Sequence, residues 1–292
     1  MSDGLRFAKY HGTGNDFVMI EDLEDRVALS ADLVAGVCDR HMGVGADGVI
    51  RIAPSDRADF FMDYWNADGG VAEMCGNGVR CLAKYVYDNG LTERTELDVD
   101  TRAGIKHLVL TAEAGEVASV RVDMGPPALE RGAIPMAGPA DERFVDRPFL
   151  DAGPGYVGTA VSMGNPHLVL RGADDLDALD LHVVGSRLEH HPDFPEGTNV
   201  EFIRVQDGVV EVRVWERGSG ATMACGTGAC ASLVAASLAG LVPRHATVRF
   251  PGGELDVEWA EDDRVYLDGP ATFVFEGRLT PAWMAASVGE RR

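Results

Sequence analysis

The feature that most restricts how this chain can fold is that it repeats itself. Met74-Cys75-Gly76-Asn77-Gly78 is answered by Ala224-Cys225-Gly226-Thr227-Gly228, Gly14-Asn15 by Gly164-Asn165, and Tyr64-Trp65-Asn66 by Val214-Trp215-Glu216, always 150 positions apart. Self-similarity at a fixed spacing signals repeated architecture before any secondary structure is assigned. The length of 292 residues suits two domains at roughly 150 residues each. A duplicated domain, giving two similar halves that face each other, accounts for the common offset.

Within each half the pattern is mostly strand, then one helix. Residues 59–65 and 209–215 are β-rich runs that end in Gly-rich loops, and each loop leads into a helical segment. The first helix is predicted over 76–89, with Val79, Leu82, Ala83 and Val86 on one stripe and Asn89-Gly90 as its stop. The second, over 226–239, is apolar nearly all round and closes at Gly240. A helix apolar on every face belongs inside other structure. The expected fold is therefore mixed α/β (α+β): two pseudo-symmetric domains from an internal duplication, each a curved, mostly antiparallel sheet or barrel around a central helix. Segments such as 97–100 and 247–250 alternate as half-buried strands. The Gly/Pro stretch Met124-Gly125-Pro126-Pro127 is the natural place for the chain to change domains, and the loose stretch 136–154 reads as an excursion inside the second half.

Apolar residues at 46% and charged residues at 25% are ordinary for a soluble globular protein. The net charge of −21 repels phosphate backbones and anionic lipid, so roles on nucleic acid or at a membrane surface are set aside. The longest weakly polar run, 229–242, is shorter than the ~20 residues of a membrane span. Residues 1–10 hold no apolar signal core, so a cytoplasmic location is expected. Five cysteines, Cys38, Cys75, Cys81, Cys225 and Cys230, read as reduced thiols rather than a disulfide framework, and no Cys/His spacing suits a metal. Gly43-Val44-Gly45-Ala46-Asp47-Gly48 matches G-x-G-x-x-G, but a strand-like run follows it where a dinucleotide site needs a helix.

A cysteine placed just before a Gly-rich helix start has a chemical reading. Free N–H groups and the positive end of the helix dipole lower a thiol pKa from about 8.5 and create a carboxylate site. Two equivalent thiols suit removal of a proton from one face of a carbon and its return on the other, one as thiolate and one as thiol. Helix starts aimed at an α-carboxylate help because negative charge grows there as the carbanion forms. No lysine lies in a context that would hold pyridoxal phosphate, so a route without cofactor or metal is expected.

Taken together, His11-Gly12-Thr13-Gly14-Asn15-Asp16-Phe17, Asn66-Ala67-Asp68-Gly69, Met74 to Cys81, Ser162-Met163-Gly164-Asn165-Pro166-His167, Trp215-Glu216-Arg217-Gly218 and Ala224 to Cys230 resemble the diaminopimelate epimerase family over residues 7–279. The resemblance implies interconversion of LL- and meso-2,6-diaminopimelate, on the way to lysine and peptidoglycan precursors, by a homodimer without cofactor. It implies domains of 1–124 with 270–292 and of 125–269, with the site in the cleft between them. Residue by residue, it makes Cys75 and Cys225 the acid and base, with His167 and Glu216 supporting proton transfer. Asn15, Asn66, Asn165, Asn199, Glu216 and Arg217 match substrate-binding positions, and Gly76-Asn77 and Gly226-Thr227 offer N–H groups to the reacting carboxylate. Gly48 stands where some members carry a glutamine ligand, so that contact is absent or left to backbone. Two rivals remain at this stage: a sister racemase acting on another amino acid, and a redox or binding protein whose two cysteines form a switch disulfide.

Overall fold

The computed structural model describes residues 4–173 and 175–289. The outermost ends of the expected domains, 1–3 and 290–292, lie outside the described residues. The chain divides into two compact units, Met1–Val122 with Pro270–Arg292, and Asp123–Gly269.

The first unit contains β1 (Leu5–Gly12), β2 (Asn15–Glu21), α1 (Ala31–Cys38), β3 (Gly48–Ala53), β4 (Phe60–Asn66), α2 (Gly76–Asp88), β5 (Glu96–Thr101), β6 (Gly104–Glu113) and most of β7 (Glu116–Gly125), whose residues from Asp123 on belong to the second. The second contains β8 (Arg147–Pro148), β9 (Val157–Ser162), β10 (Pro166–Arg171), α3 (Leu181–Glu189), β11 (Asn199–Gln206), β12 (Val209–Glu216), β13 (Gly220–Ala221), α4 (Gly226–Leu238), β14 (His245–Phe250), β15 (Gly253–Trp259) and β16 (Val265–Gly269). The chain then returns to the first unit as β17 (Thr272–Leu279), antiparallel to β1, and α5 (Pro281–Gly289).

The duplication is visible in the pairings. Within the first unit β1/β2 is antiparallel, β2/β3 parallel, β3/β4 antiparallel, β4/β5 parallel and β5/β6 antiparallel. Within the second, β9/β10, β10/β11, β11/β12, β12/β14 and β14/β15 repeat that order of senses. Each parallel pair needs a crossover. In both units the first crossover carries a short helix, α1 or α3, and the second carries the long one, α2 or α4. The expected mixed α/β class with curved, mostly antiparallel sheets holds.

Helix α4 packs against β9, β10, β11, β12, β14, β15 and β16 of its own unit, as its apolar sequence requires. Helix α2 is equally enclosed, which its single apolar stripe does not foretell. Gly76 to Lys84 are all buried, including Arg80 at 0% exposure and Lys84 at 7%. These charges are tolerated because partners are supplied inside. Lys84 Nζ donates to the carbonyl of Val117 at 2.8 Å and pairs with Asp88 one turn on, while Arg80 donates to the Gly76 carbonyl and to Asn77 Oδ1.

Three helices escape the sequence reading: α1, α3 and α5. The first is capped by Ser30, whose side chain accepts from the Leu33 N–H, and its Leu33, Val34 and Val37 cover Val18, Ile20 and Val49. Strands β2 and β3 are therefore buried on both faces, as parallel pairs usually are. The stretch 136–154 is less loose than its composition suggests. Met136, Phe144 and Phe149 are buried in one cluster with Leu168, Leu188 and Phe202.

Candidate active site

In each unit the strand entering the long crossover ends in a loop that delivers a cysteine to the cap position of the central helix. Cys75 precedes α2 with φ −141° and ψ 121°, and Cys225 precedes α4 with φ −129° and ψ 120°. Both are extended, and in both cases the first helical residue is glycine. The first-turn N–H groups of a helix lack intrahelical partners, so each cysteine stands beside donors. Cys225 Sγ already uses one, accepting from the Gly228 N–H at 3.4 Å.

Around Cys75 the partners come from β2 and the loop before β3. Asn15 Oδ1 lies 3.5 Å from Cys75 Sγ and 3.2 Å from Asn77 Nδ2, while Asn15 Nδ2 donates to Asp47 Oδ2 at 2.8 Å. Arg80 Nη2 donates to Asn77 Oδ1 at 3.0 Å, which fixes the other half of that carboxamide. Asn66, at the end of β4, is exposed and holds its turn through backbone bonds with Gly69 and Gly70. Gly48 sits opposite Asn66 in the ladder. A Cβ on Gly48 would lie 2.6 Å from the carbonyl oxygen of Trp65, so this position accepts no side chain.

Around Cys225 the environment is denser. His167, wholly buried on β10, has Nε2 3.0 Å from Asn165 Oδ1, and Asn165 Nδ2 donates to Thr227 Oγ1 at 3.4 Å. Thr227 Oγ1 is 3.5 Å from Cys225 Sγ. Asn199 is buried and structural in its contacts: Nδ2 donates to the Pro166 carbonyl at 2.8 Å, and Oδ1 accepts the Arg217 N–H at 2.9 Å. Arg217 itself is exposed, with Nη1 donating to the Glu196 carbonyl at 3.0 Å. Glu216 accepts from Thr222 Oγ1. Its carboxyl is pushed up by burial, against which hydrogen bonds from Thr222 and Cys225 pull down.

The expectation of a lowered thiol fails for Cys225. Burial pushes its pKa well up, the Glu216 and Glu201 carboxylates push it further, and bonds from Thr227 and Gly228 offset only part of this. A helix start lowers a thiol pKa where water still screens the neighbouring carboxylates; at 5% exposure Cys225 has no such screening.

Several residues of this environment escape the sequence reading. Asp47 carries Asn15, and Glu201 contacts His167 Nδ1 at 2.7 Å. Glu189 accepts from Trp215 Nε1 at 2.7 Å and from the Gly218 N–H at 2.9 Å, so it shapes the loop that bears Glu216 and Arg217. A carboxylate inside the apolar run of β11 is the one signal that could have exposed Glu201. Among the described residues, no three His, Cys, Asp or Glu side chains gather into a group that could hold a metal ion.

Comparison with known proteins gives a consistent picture. The family model described as diaminopimelate epimerase matches residues 7–130 and 159–274. The diaminopimelate epimerase of Pelotomaculum thermopropionicum is 48% identical over 276 residues, covering 94% of this chain and 98% of that protein. That of Moorella thermoacetica is 49% identical over 276 residues, with the same coverage. Among solved structures, a hydroxyproline epimerase from Agrobacterium vitis aligns with TM-score 0.68 at 16% identity, over 96% of this chain and 92% of the other. A probable proline racemase from Agrobacterium radiobacter aligns with TM-score 0.67 at 16% identity, over 96% and 95%. At that identity these two matches speak for the fold alone.

Proposed function

The chain belongs to the diaminopimelate epimerase family, and from that membership we propose that it interconverts LL- and meso-2,6-diaminopimelate by a two-thiol mechanism, as a cytoplasmic homodimer in lysine and peptidoglycan precursor synthesis. Among the described residues no helix is long and apolar enough to cross a membrane. The observation that carries the reading is the matched station of two thiols. Cys75 and Cys225 each occupy the cap of their unit's central helix, with Gly76 or Gly226 beginning the helix.

In this mechanism the substrate α-carboxylate lies against the N–H groups of Gly76-Asn77 and Gly226-Thr227. One sulfur, as thiolate, takes the α-hydrogen as a proton. The electron pair left on carbon spreads into the carboxylate, whose added charge the helix-start N–H groups receive. The other sulfur, as thiol, gives its proton to the opposite face. The product leaves with its configuration inverted, and the two cysteines have exchanged protonation states. Cys225 favours the thiol at rest, since burial and Glu216 raise its pKa. Glu216, in hydrogen-bond contact with that thiol, and His167 support the transfer. Asn15, Asn66, Asn165, Asn199, Glu216 and Arg217 are assigned to the polar ends of the substrate. Arg217 suits a carboxylate, which a guanidinium can grip with two parallel bonds.

The test is LL-diaminopimelate in D2O, scored for meso product and α-deuterium. Wild type is expected to give both, and Cys75→Ala or Cys225→Ala to lose at least about 10²–10⁴-fold, the usual scale for removing a general acid or base. Near-wild-type turnover by either variant would overturn the two-thiol mechanism. Comparable wild-type rates on lysine and diaminopimelate would pass the function to a racemase of another amino acid.

A further inference from the structure

Strand β11 buries its first five residues, Asn199 to Ile203, and a carboxylate sits in the middle of them. Glu201 is 0% exposed; its Oε1 lies 2.7 Å from His167 Nδ1, and its buried Oε2 has no hydrogen-bond partner. An ionisable group is seldom left in this state unless its one contact matters. The space around it is committed as well. A Cβ on Gly228, in the first turn of α4, would lie 2.7 Å from Glu201 Oε1.

The orientation of the Asn165 carboxamide points to where the protons lie. His167 Nε2 faces Asn165 Oδ1, an acceptor, so Nε2 carries a hydrogen. His167 Nδ1 faces a carboxylate oxygen, and two lone pairs do not approach to 2.7 Å, so a second proton lies between them. Placed on nitrogen, that proton makes the contact a charge-assisted hydrogen bond from imidazolium to carboxylate, in keeping with its short 2.7 Å length. The orientation then propagates. Nε2–H donates to Asn165 Oδ1, Asn165 Nδ2 donates to Thr227 Oγ1, and the Thr227 hydroxyl keeps its hydrogen for Cys225 Sγ.

We propose that Glu201 is a positioning residue for this epimerase: by trapping a proton on His167 Nδ1 it holds the ring as an imidazolium and sets the direction of the hydrogen-bond chain that ends at Cys225. Every donor in the chain points toward the sulfur, which also receives the Gly228 N–H. When Cys225 gives up its proton, the new charge on sulfur meets two hydrogen-bond donors already aligned. Beyond the direct effect of its charge on Cys225, Glu201 acts through His167 and Asn165, and it touches no reacting atom. The kinetic part of this inference rests on the epimerase reading; the protonation of the ring does not.

The experiment is ¹⁵N-histidine NMR of the whole protein without substrate at pH 7.5, the His167 signals being identified by their loss in His167→Gln. Wild type is expected to show both His167 nitrogens protonated, with the Nδ1 proton far downfield as in a short, strong hydrogen bond. A bare, pyridine-type Nδ1 or Nε2 in the wild type overturns the proposal without any variant at position 201. Kinetics supply the second arm. Glu201→Leu should lower kcat by about tenfold or more with KM within about threefold, because no ground-state substrate contact is lost. Glu201→Gln, whose amide can donate to Nδ1 and so keep the hydrogen on Nε2, should recover part of that loss, because the direction of the chain is kept while the imidazolium is not. Wild-type kcat in Glu201→Leu, or a glutamine variant as slow as the leucine one, would equally overturn it. Wild-type protein that failed to epimerise diaminopimelate would sink the activity reading while leaving the ring result standing.

Discussion

Asp47 holds the carboxamide of Asn15 by a single bond, Nδ2 to Oδ2 at 2.8 Å, and so turns Asn15 Oδ1 toward Cys75 and Asn77. The parallel pairing of β2 with β3 brings the two residues together, and the Asp47 N–H donates to the Asp16 carbonyl just beyond that ladder. Asp47 is itself held by Arg40 Nη2 at 2.7 Å. Replacing Asp47 by Ala leaves Nδ2 of Asn15 without this acceptor, and the amide is no longer held in one orientation. The expected cost is about tenfold in kcat/KM, or about 1.4 kcal/mol, the scale of one hydrogen bond. Unchanged kcat/KM in a variant that melts like wild type would show that Asn15 needs no such support.

The same network predicts an acid dependence of stability. Asp16 is partly buried, which alone would raise its carboxyl, but Arg40 at 2.8 Å and Lys9 at 2.7 Å hold it well below the usual carboxylate range. A folded-state pKa below the unfolded one contributes stability that is present above the unfolded value, about 3.9, and is lost as pH falls through the folded value. Asp16→Asn should therefore be less stable than wild type at pH 7, and the gap should narrow toward pH 3. Urea midpoints at the two pH values measure it. A gap that stays constant between them would remove Asp16 as the source.

Thiol chemistry should separate the five cysteines. Cys75 is half-buried, while Cys38, Cys81, Cys225 and Cys230 are buried. Burial pushes Cys38 and Cys81 up to about 12 and Cys225 well above its ordinary value. The thiolate is the reactive form, so iodoacetamide at pH 8 should label Cys75 first. Peptide mass mapping at partial modification reads the order. Earlier labelling of Cys225 would contradict the burial found here.

Two equivalent glycines, Gly78 and Gly228, should respond differently to Ala. At Gly78 the added Cβ meets the far ends of flexible apolar chains, Ile50 Cδ1 at 2.7 Å and Met62 Cε at 2.9 Å. At Gly228 it meets Glu201 Oε1 at 2.7 Å and Cys225 Cβ at 3.1 Å, groups already locked by their bonds. Overpacking a core costs about 1–3 kcal/mol, less where side chains can move aside. Gly78→Ala should fall at the low end in melting experiments and keep most activity. Gly228→Ala should lose activity beyond its loss of stability. Equal losses of activity from the two substitutions would count against a fixed Glu201.

The sequence by itself determined the duplication, the two central helices and the placement of a cysteine at each helix start. These are local or periodic features: an offset of 150 positions, glycines after Cys75 and Cys225, a stop at Asn89-Gly90. The family resemblance was legible for the same reason, since its motifs are short and contiguous. Tertiary structure decided what depends on residues far apart in the chain. Helices α1 and α3, of eight and nine residues, are too short to announce themselves by periodicity and exist because a parallel strand pair needs a crossover. The burial of Arg80 and Lys84 on α2 depends on acceptors supplied within the fold, which no helical stripe encodes. The rise in the Cys225 pKa is likewise not a property of its loop. A helix start favours the thiolate locally, but the carboxylates of Glu216 and Glu201 face it, and only the folded β11 and β12 put them there.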